Sequence, residues 1–132
     1  MSNNIFGRLD AVDGISANRI ITLAKGDTFE ATIAINSGCQ LEPEQYVLGE
    51  GDSVYFGVME ANQPFGCALI RKKYTSEDLD EDGNIPLRLE SQDTIYLLPG
   101  TYYYQAKLEH KEDGQPDEVT TIIPKRKLFL VA

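Results

Sequence analysis

Tryptophan is absent from this sequence, and histidine occurs once, as His110. With one imidazole, any Ser-His-Asp or Cys-His arrangement would have to run through that residue. No Gly-x-Ser-x-Gly elbow accompanies it, so His110 reads as a surface residue and no catalytic residue is expected. Cysteine is scarce: Cys39 and Cys67 are the two in the chain, in neither a Cys-x-x-Cys pair nor a metal-ligand spacing. Pairing between them stays open, with free thiols the expectation for a chain without a secretory signal. The opening Met1-Ser2-Asn3-Asn4-Ile5-Phe6-Gly7 has no basic n-region and no apolar h-region. No apolar run approaches the ~18 residues of a membrane helix, so no membrane partner is expected.

Positive charge is also in short supply. Twelve basic residues face 21 acidic ones, for a net charge of −9. Such a field repels phosphate backbones and argues against a nucleic-acid partner. The basic residues cluster twice, at Arg71-Lys72-Lys73 and Lys125-Arg126-Lys127, each in or beside a strand-like run. Each cluster reads either as a solvated strand face or as a contact patch for an acidic surface, such as a neighbouring copy of the same chain.

What is present is a chain of 132 residues, 42% of them hydrophobic. That suffices for one domain with its own core, without disulfides or metals. Alternation of apolar and polar residues dominates. Within 27–36, Phe29, Ala31, Ile33 and Ile35 alternate with Thr28, Glu30, Thr32 and Ala34. The same period of two recurs at 52–59 (Val54, Phe56, Val58), at 84–90 (Ile85, Leu87, Leu89) and at 101–109 (Tyr102, Tyr104, Ala106, Leu108). Weaker strand runs lie at 19–24, 67–75, 118–123 and 126–131. Lys25-Gly26-Asp27, Gly49-Glu50-Gly51-Asp52, Asp82-Gly83-Asn84, Pro99-Gly100 and Asp113-Gly114-Gln115-Pro116 supply turns between them. Helical periodicity is wanting, apart from short turns expected at 42–46 and 76–79. The expected fold is all-β, an immunoglobulin-like antiparallel β-sandwich of about eight strands over residues 19–132. Residues 1–18 are polar, with Ile5, Phe6, Leu9, Val12 and Ile15 as apolar anchors. They read as an extended N-terminal arm that either docks on a neighbour or frays.

Two local patterns bear on binding. Asp78-Leu79-Asp80-Glu81-Asp82-Gly83-Asn84-Ile85 repeats the first eight positions of an EF-hand loop, in which alternate carboxylates converge on one hard cation. Leu89 stands where that loop needs its bidentate Glu, and Pro86 opposes an exiting helix. Asp78, Asp80 and Asp82 are therefore candidates for a calcium loop of another kind, against the alternative of an acidic solvated turn; no other cofactor is expected. The second pattern is aromatic. With Tyr102 and Tyr104 inward, Tyr103 faces outward, as does Tyr55 on its own strand. Exposed tyrosines suit protein interfaces or sugar stacking, or else cover a strand edge.

Leu97-Leu98-Pro99-Gly100-Thr101-Tyr102-Tyr103 resembles the Leu-x-Pro-Gly-Thr-x-Tyr segment of fibronectin type III domains. The motif nominates Tyr103 as a tyrosine-corner residue, whereas the alternation turns Tyr102 inward. The resemblance implies a sandwich corner. A longer resemblance runs from Lys25-Gly26-Asp27 through Gly51-Asp52-Ser53-Val54-Tyr55-Phe56, Asp93-Thr94, Leu98-Pro99-Gly100 and Tyr102-Tyr103-Tyr104. It closes on the hairpin Val119-Thr120-Thr121-Ile122-Ile123 and Leu128-Phe129-Leu130-Val131. In that order these elements resemble the small immunoglobulin-like β-sandwich modules of tailed-bacteriophage virions, found in baseplate and receptor-binding proteins and in head or tail accessory proteins.

That resemblance implies a non-enzymatic structural or adaptor role, in a virion assembled in the bacterial host cytoplasm. The implied partners are other virion proteins and further copies of the chain, in a symmetric assembly. Ile5, Phe6, Tyr55, Arg71, Lys72, Lys73 and Tyr103 are the expected interface residues. The alternatives are a carbohydrate-binding or calcium-dependent β-sandwich module, which would use exposed aromatics and the acidic run, and a bacterial adhesion domain.

Overall fold

Alternating sequences become strands where one face can be buried, and here two sheets bury one face each against the other. The structure, a computed structural model, describes residues 4–11, 13–39 and 41–132. Among them run nine strands: β1 (Ile5–Asp10), β2 (Ile21–Ala24), β3 (Phe29–Cys39), β4 (Glu42–Gln45), β5 (Asp52–Met59), β6 (Ile70–Thr75), β7 (Ile85–Leu89), β8 (Gly100–His110) and β9 (Glu118–Val131). In the four-stranded sheet β3 is central, pairing with β1 on one side and with β7 and β4 at different heights. The other sheet has the order β2-β9-β8-β5-β6. Placing β1, β3 and β7 in one layer and β9, β8, β5 and β6 in the other is the strand order of an immunoglobulin-like sandwich.

The inward residues of both sheets form one core. Ile33 and Leu89 from one layer and Phe56, Tyr104 and Leu128 from the other all belong to it. Phe56 and Tyr104 stack at 5.9 Å between ring centroids and an interplanar angle of 28°. Such a pair adds about 1 kcal/mol beyond the area it buries. The Tyr104 hydroxyl donates to the carbonyl of Arg19 at 2.6 Å. It thereby holds the segment that carries the chain from one sheet to the other, where Arg19 adopts a left-handed φ of 63°.

The corner before β8 turns on Tyr102, whose hydroxyl donates to the carbonyl of Leu98 at 2.6 Å. This is a tyrosine corner, and it corrects the motif's nomination of Tyr103. The ring on the inward side can lie back over the preceding loop, and alternation gives that side to Tyr102. In β9 the pairing with β8 slips around Ala106. Pro124, which lacks an N–H for the ladder, sits at the irregularity. Ile122 and Ile123 are consequently both buried, although they are adjacent in sequence.

Three expectations are corrected. Residues 5–10 are a strand rather than a detached arm: β1 pairs antiparallel with β3 from Ile5 opposite Ser37 to Asp10 opposite Thr32. Its Leu9 is 3% exposed. Gly7 makes this docking close, since a Cβ there would lie 3.2 Å from Ile123 Cγ1. Met1–Asn3 and Val12 of the expected arm lie outside the described residues. The sandwich is not wholly antiparallel, because β2 runs parallel to β9 from Ile21 opposite Leu128 to Ala24 opposite Val131. The helical turn expected at 42–46 is instead the exposed strand β4. The turn expected at 76–79 forms at Ser76–Asp78, where Thr75 caps it and the Asp78 side chain closes the capping box.

Candidate interaction face

On the outer face of the five-stranded sheet, registers fix which side chains meet. Tyr55 of β5 stands opposite Lys73 of β6 on one side and Lys107 of β8 on the other. One step along, Gly57 stands between Arg71 and Gln105. Tyr103 of β8 is opposite Lys127 of β9. The outward positions of four adjacent strands therefore hold Arg71, Lys73, Lys107 and Lys127 around two tyrosines.

Gly57 gives this face its shape. A Cβ there would come 3.0 Å from Phe65 Cε1 and 3.1 Å from Ala68 Cβ. Only a residue without a side chain lets the 3₁₀ turn at Phe65–Cys67 lie down on the sheet. Arg71 fastens that turn, donating from Nε to the carbonyl of Ala68 at 3.0 Å and from Nη2 to that of Gly66 at 2.7 Å. A groove of about 310 Å³ results, lined by Tyr55, Gly57, Phe65 and the Arg71–Lys73 strand.

The cations are placed over the rings. Lys73 Nζ lies 5.7 Å from the Tyr55 centroid and Lys107 Nζ lies 5.2 Å from that of Phe65. Carbonyl oxygens and ring faces leave a cation's charge in place, whereas a carboxylate cancels it. Among the described residues, Arg71, Lys73, Lys107 and Lys127 take part in no ion pair. Elsewhere Arg8, Arg19 and Arg88 each have an acidic partner. One carboxylate shares the face, that of Glu109, which accepts from the Tyr55 hydroxyl at 3.3 Å and lies 3.9 Å from Lys111. With four cations against it, the face is net positive in a chain of net charge −9.

Not every expected interface residue belongs here. Lys72 points to the other side of β6 and pairs with Asp93 at 2.8 Å, both side chains about four-fifths buried. Ile5 packs against the core. Phe6 lies on the outer side of the four-stranded sheet, opposite Asn36. Phe65 and Lys107 join the face although the sequence did not single them out. Lys107 was legible as an outward position of β8; Phe65 lies in a loop whose path alternation does not reveal.

The acidic run does not converge. Asp80 Oδ1 accepts the backbone N–H groups of Asp82 and Asn84, both at 2.9 Å. Asp78 Oδ2 accepts that of Thr75 at 2.8 Å. These carboxylates shape a turn, and the neighbouring side chain of Gln45 binds the carbonyl of Asp82. Among the described residues no group of three or more His, Cys, Asp or Glu is arranged to hold a metal ion. In this geometry Asp78 and Asp80, expected as calcium ligands with Asp82, turn their carboxylates onto the backbone of their own turn. Spacing along the chain brought the three carboxylates near one another, but the turn directs two of them onto backbone donors.

A second polar cluster lies at the start of β5. Asp52 is buried and its carboxylate accepts from the Tyr46 hydroxyl at 2.8 Å and from Gly49 N–H at 2.9 Å. Its other oxygen lies 2.6 Å from His110 Nδ1. Burial and the Asp52 hydrogen bond push the Tyr46 phenol up to about 12. The bond to Asp52 raises the His110 pKa above its ordinary value. The other ring nitrogen lies 4.0 Å from Glu112. The cluster clasps the loop before β5 to the end of β8. Cys39 and Cys67 are both free and exposed. Among the described residues no helix is long and apolar enough to cross a membrane.

No protein-family model matches the chain, and no curated protein sequence matches it.

Proposed function

We propose that this chain is a non-enzymatic assembly module of a tailed-phage virion, and that it binds an acidic protein surface through the outer face of its five-stranded sheet. The observation that carries the binding reading is the gathering of Arg71, Lys73, Lys107 and Lys127, free of ion pairs among the described residues, around Tyr55, Phe65 and Tyr103 in an otherwise acidic molecule. Aromatic rings and arginine flanked by charge are the residue types that anchor protein interfaces. Unpaired lysines steer an acidic partner toward them. The virion setting comes from the ordered resemblance between Lys25 and Val131, and the sandwich fold agrees with it.

Carbohydrate binding is the less favoured reading. A sugar needs open ring faces, and here lysine ammonium groups sit over Tyr55 and Phe65. An enzymatic role is disfavoured too: the ring nitrogen of His110 not held by Asp52 lies 4.0 Å from Glu112, and among the described residues no serine or cysteine is hydrogen-bonded to it.

The virion reading is tested by peptide mass spectrometry on density-gradient-purified phage particles from the host in which the chain is produced. Peptides of this chain should band with the particles at a fixed ratio to the capsid protein. Their confinement to the soluble lysate would overturn the virion role.

A further inference from the structure

We infer that the basic outer face of the five-stranded sheet receives the acidic β6–β7 loop of a second copy of this chain, so that copies join head to tail. The inference rests on the assembly reading and names its partner.

The two surfaces complement each other in charge. The loop presents Glu77, Glu81 and Asp82, all exposed and in no ion pair among the described residues. The exposed Glu42 and Glu44 of β4 extend this acidic end, because Gln45 ties β4 to the loop through the Asp82 carbonyl. The receiving face carries Arg71, Lys73, Lys107 and Lys127.

The loop is also shaped in advance. Asp80 and Asp78 hold its backbone through three N–H bonds of 2.8–2.9 Å. The free carboxylates are therefore presented on a fixed turn, and little ordering cost remains for docking. The receiving groove, about 310 Å³, has aromatic walls, which strengthen a charge pair formed against them by excluding water.

Both surfaces lie on one chain, yet no described carboxylate of the loop pairs with a cation of the face. Only another molecule can satisfy both. Because the loop and the face are different surfaces, the contact is heterologous. It leaves one loop and one face free at the ends of every oligomer, and repetition closes a ring or extends a filament. Copies of net charge −9 repel at long range, so this one orientation is selected over other encounters.

The test uses neutral variants of the full chain in sedimentation velocity. Lys73→Gln with Lys107→Gln weakens the face while sparing Arg71, which holds the groove together. Glu81→Gln with Asp82→Asn weakens the loop while sparing the carboxylates that shape it. Wild-type protein should sediment as a concentration-dependent series. Each double variant should associate about tenfold more weakly. An equimolar mixture should recover wild-type strength only for a species of two chains, with larger species as weak as in either variant alone, because only one intact loop and one intact face can meet. Near-UV circular dichroism matching wild type confirms that the variants are folded.

A wild-type chain that stays monomeric at millimolar concentration, or variants that associate like wild type, would overturn the inference. A poly-glutamate peptide titrated into wild-type protein then separates the two ideas. NMR shifts at Tyr55, Phe65 and Lys107 would leave the acidic-partner reading standing and remove only the self-docking. No shifts would remove both.

Discussion

Tyr102 shows how much of this fold can rest on one hydroxyl. Its ring is 6% exposed and its O–H bridges back to Leu98 at 2.6 Å, which sets the angle at which the chain enters β8. In Tyr102→Phe the ring still fills its site but the Leu98 carbonyl loses its donor. Urea denaturation should show a loss of about 1 kcal/mol, while Tyr103→Phe, outward on the same strand, should change stability by less than half as much. Equal effects would contradict the assignment of the corner.

His110 offers a pH test at the same scale. Its folded-state pKa is raised above the ordinary histidine value, chiefly by the bond to Asp52. A histidine with a raised folded pKa stabilises fully below its unfolded value of about 6.5 and loses that contribution as pH rises through the folded value. The melting temperature should therefore fall from pH 6 toward pH 9, and His110→Gln should flatten that part of the profile. A wild-type profile that rises over the same range would contradict the clasp.

Among the elements, legibility followed local geometry. β3, β5, β7 and β8 could be read from alternation, because one face of each is buried and the other is wet. β1 could not. Gly7 and Arg8 interrupt its short pattern, and its inward side is set by contact with Ile122 and Ile123, more than a hundred residues away in sequence. The parallel pairing of β2 with β9 is equally non-local. The acidic run was visible as a spacing, but ligand geometry depends on where each carboxylate turns, which spacing does not encode. On the candidate face, Tyr55, Tyr103, Arg71 and Lys73 were legible as outward residues. Their meeting with Lys107 and Phe65 needed the strand order and the path of the loop over Gly57. Because β1 belongs to the sheet, Leu9→Ala should cost about 3 kcal/mol in urea denaturation, as a buried leucine does. A loss under half a kilocalorie would restore the picture of a loose arm.

Across the whole molecule, charge is segregated. Acidic residues gather at the end that carries β4, the β6–β7 loop and the β8–β9 hairpin, where Glu112, Asp113, Asp117 and Glu118 are all exposed. Arg71, Lys73, Lys107 and Lys127, in no ion pair among the described residues, lie on one broad sheet face. A uniformly acidic surface would keep copies apart, whereas a segregated one gives them a single attractive orientation. The edge strand β6, with three consecutive basic residues, also resists indiscriminate pairing of edges, so the same residues that direct one contact discourage others.

The most direct test of this account is lysine acetylation footprinting of the assembled and the monomeric protein, read by mass spectrometry. If the outer face of the five-stranded sheet is the contact surface, Lys73, Lys107 and Lys127 become protected on assembly while Lys25 and Lys111 label as before. Unchanged labelling of Lys73, Lys107 and Lys127 in an assembly of demonstrated mass would contradict it.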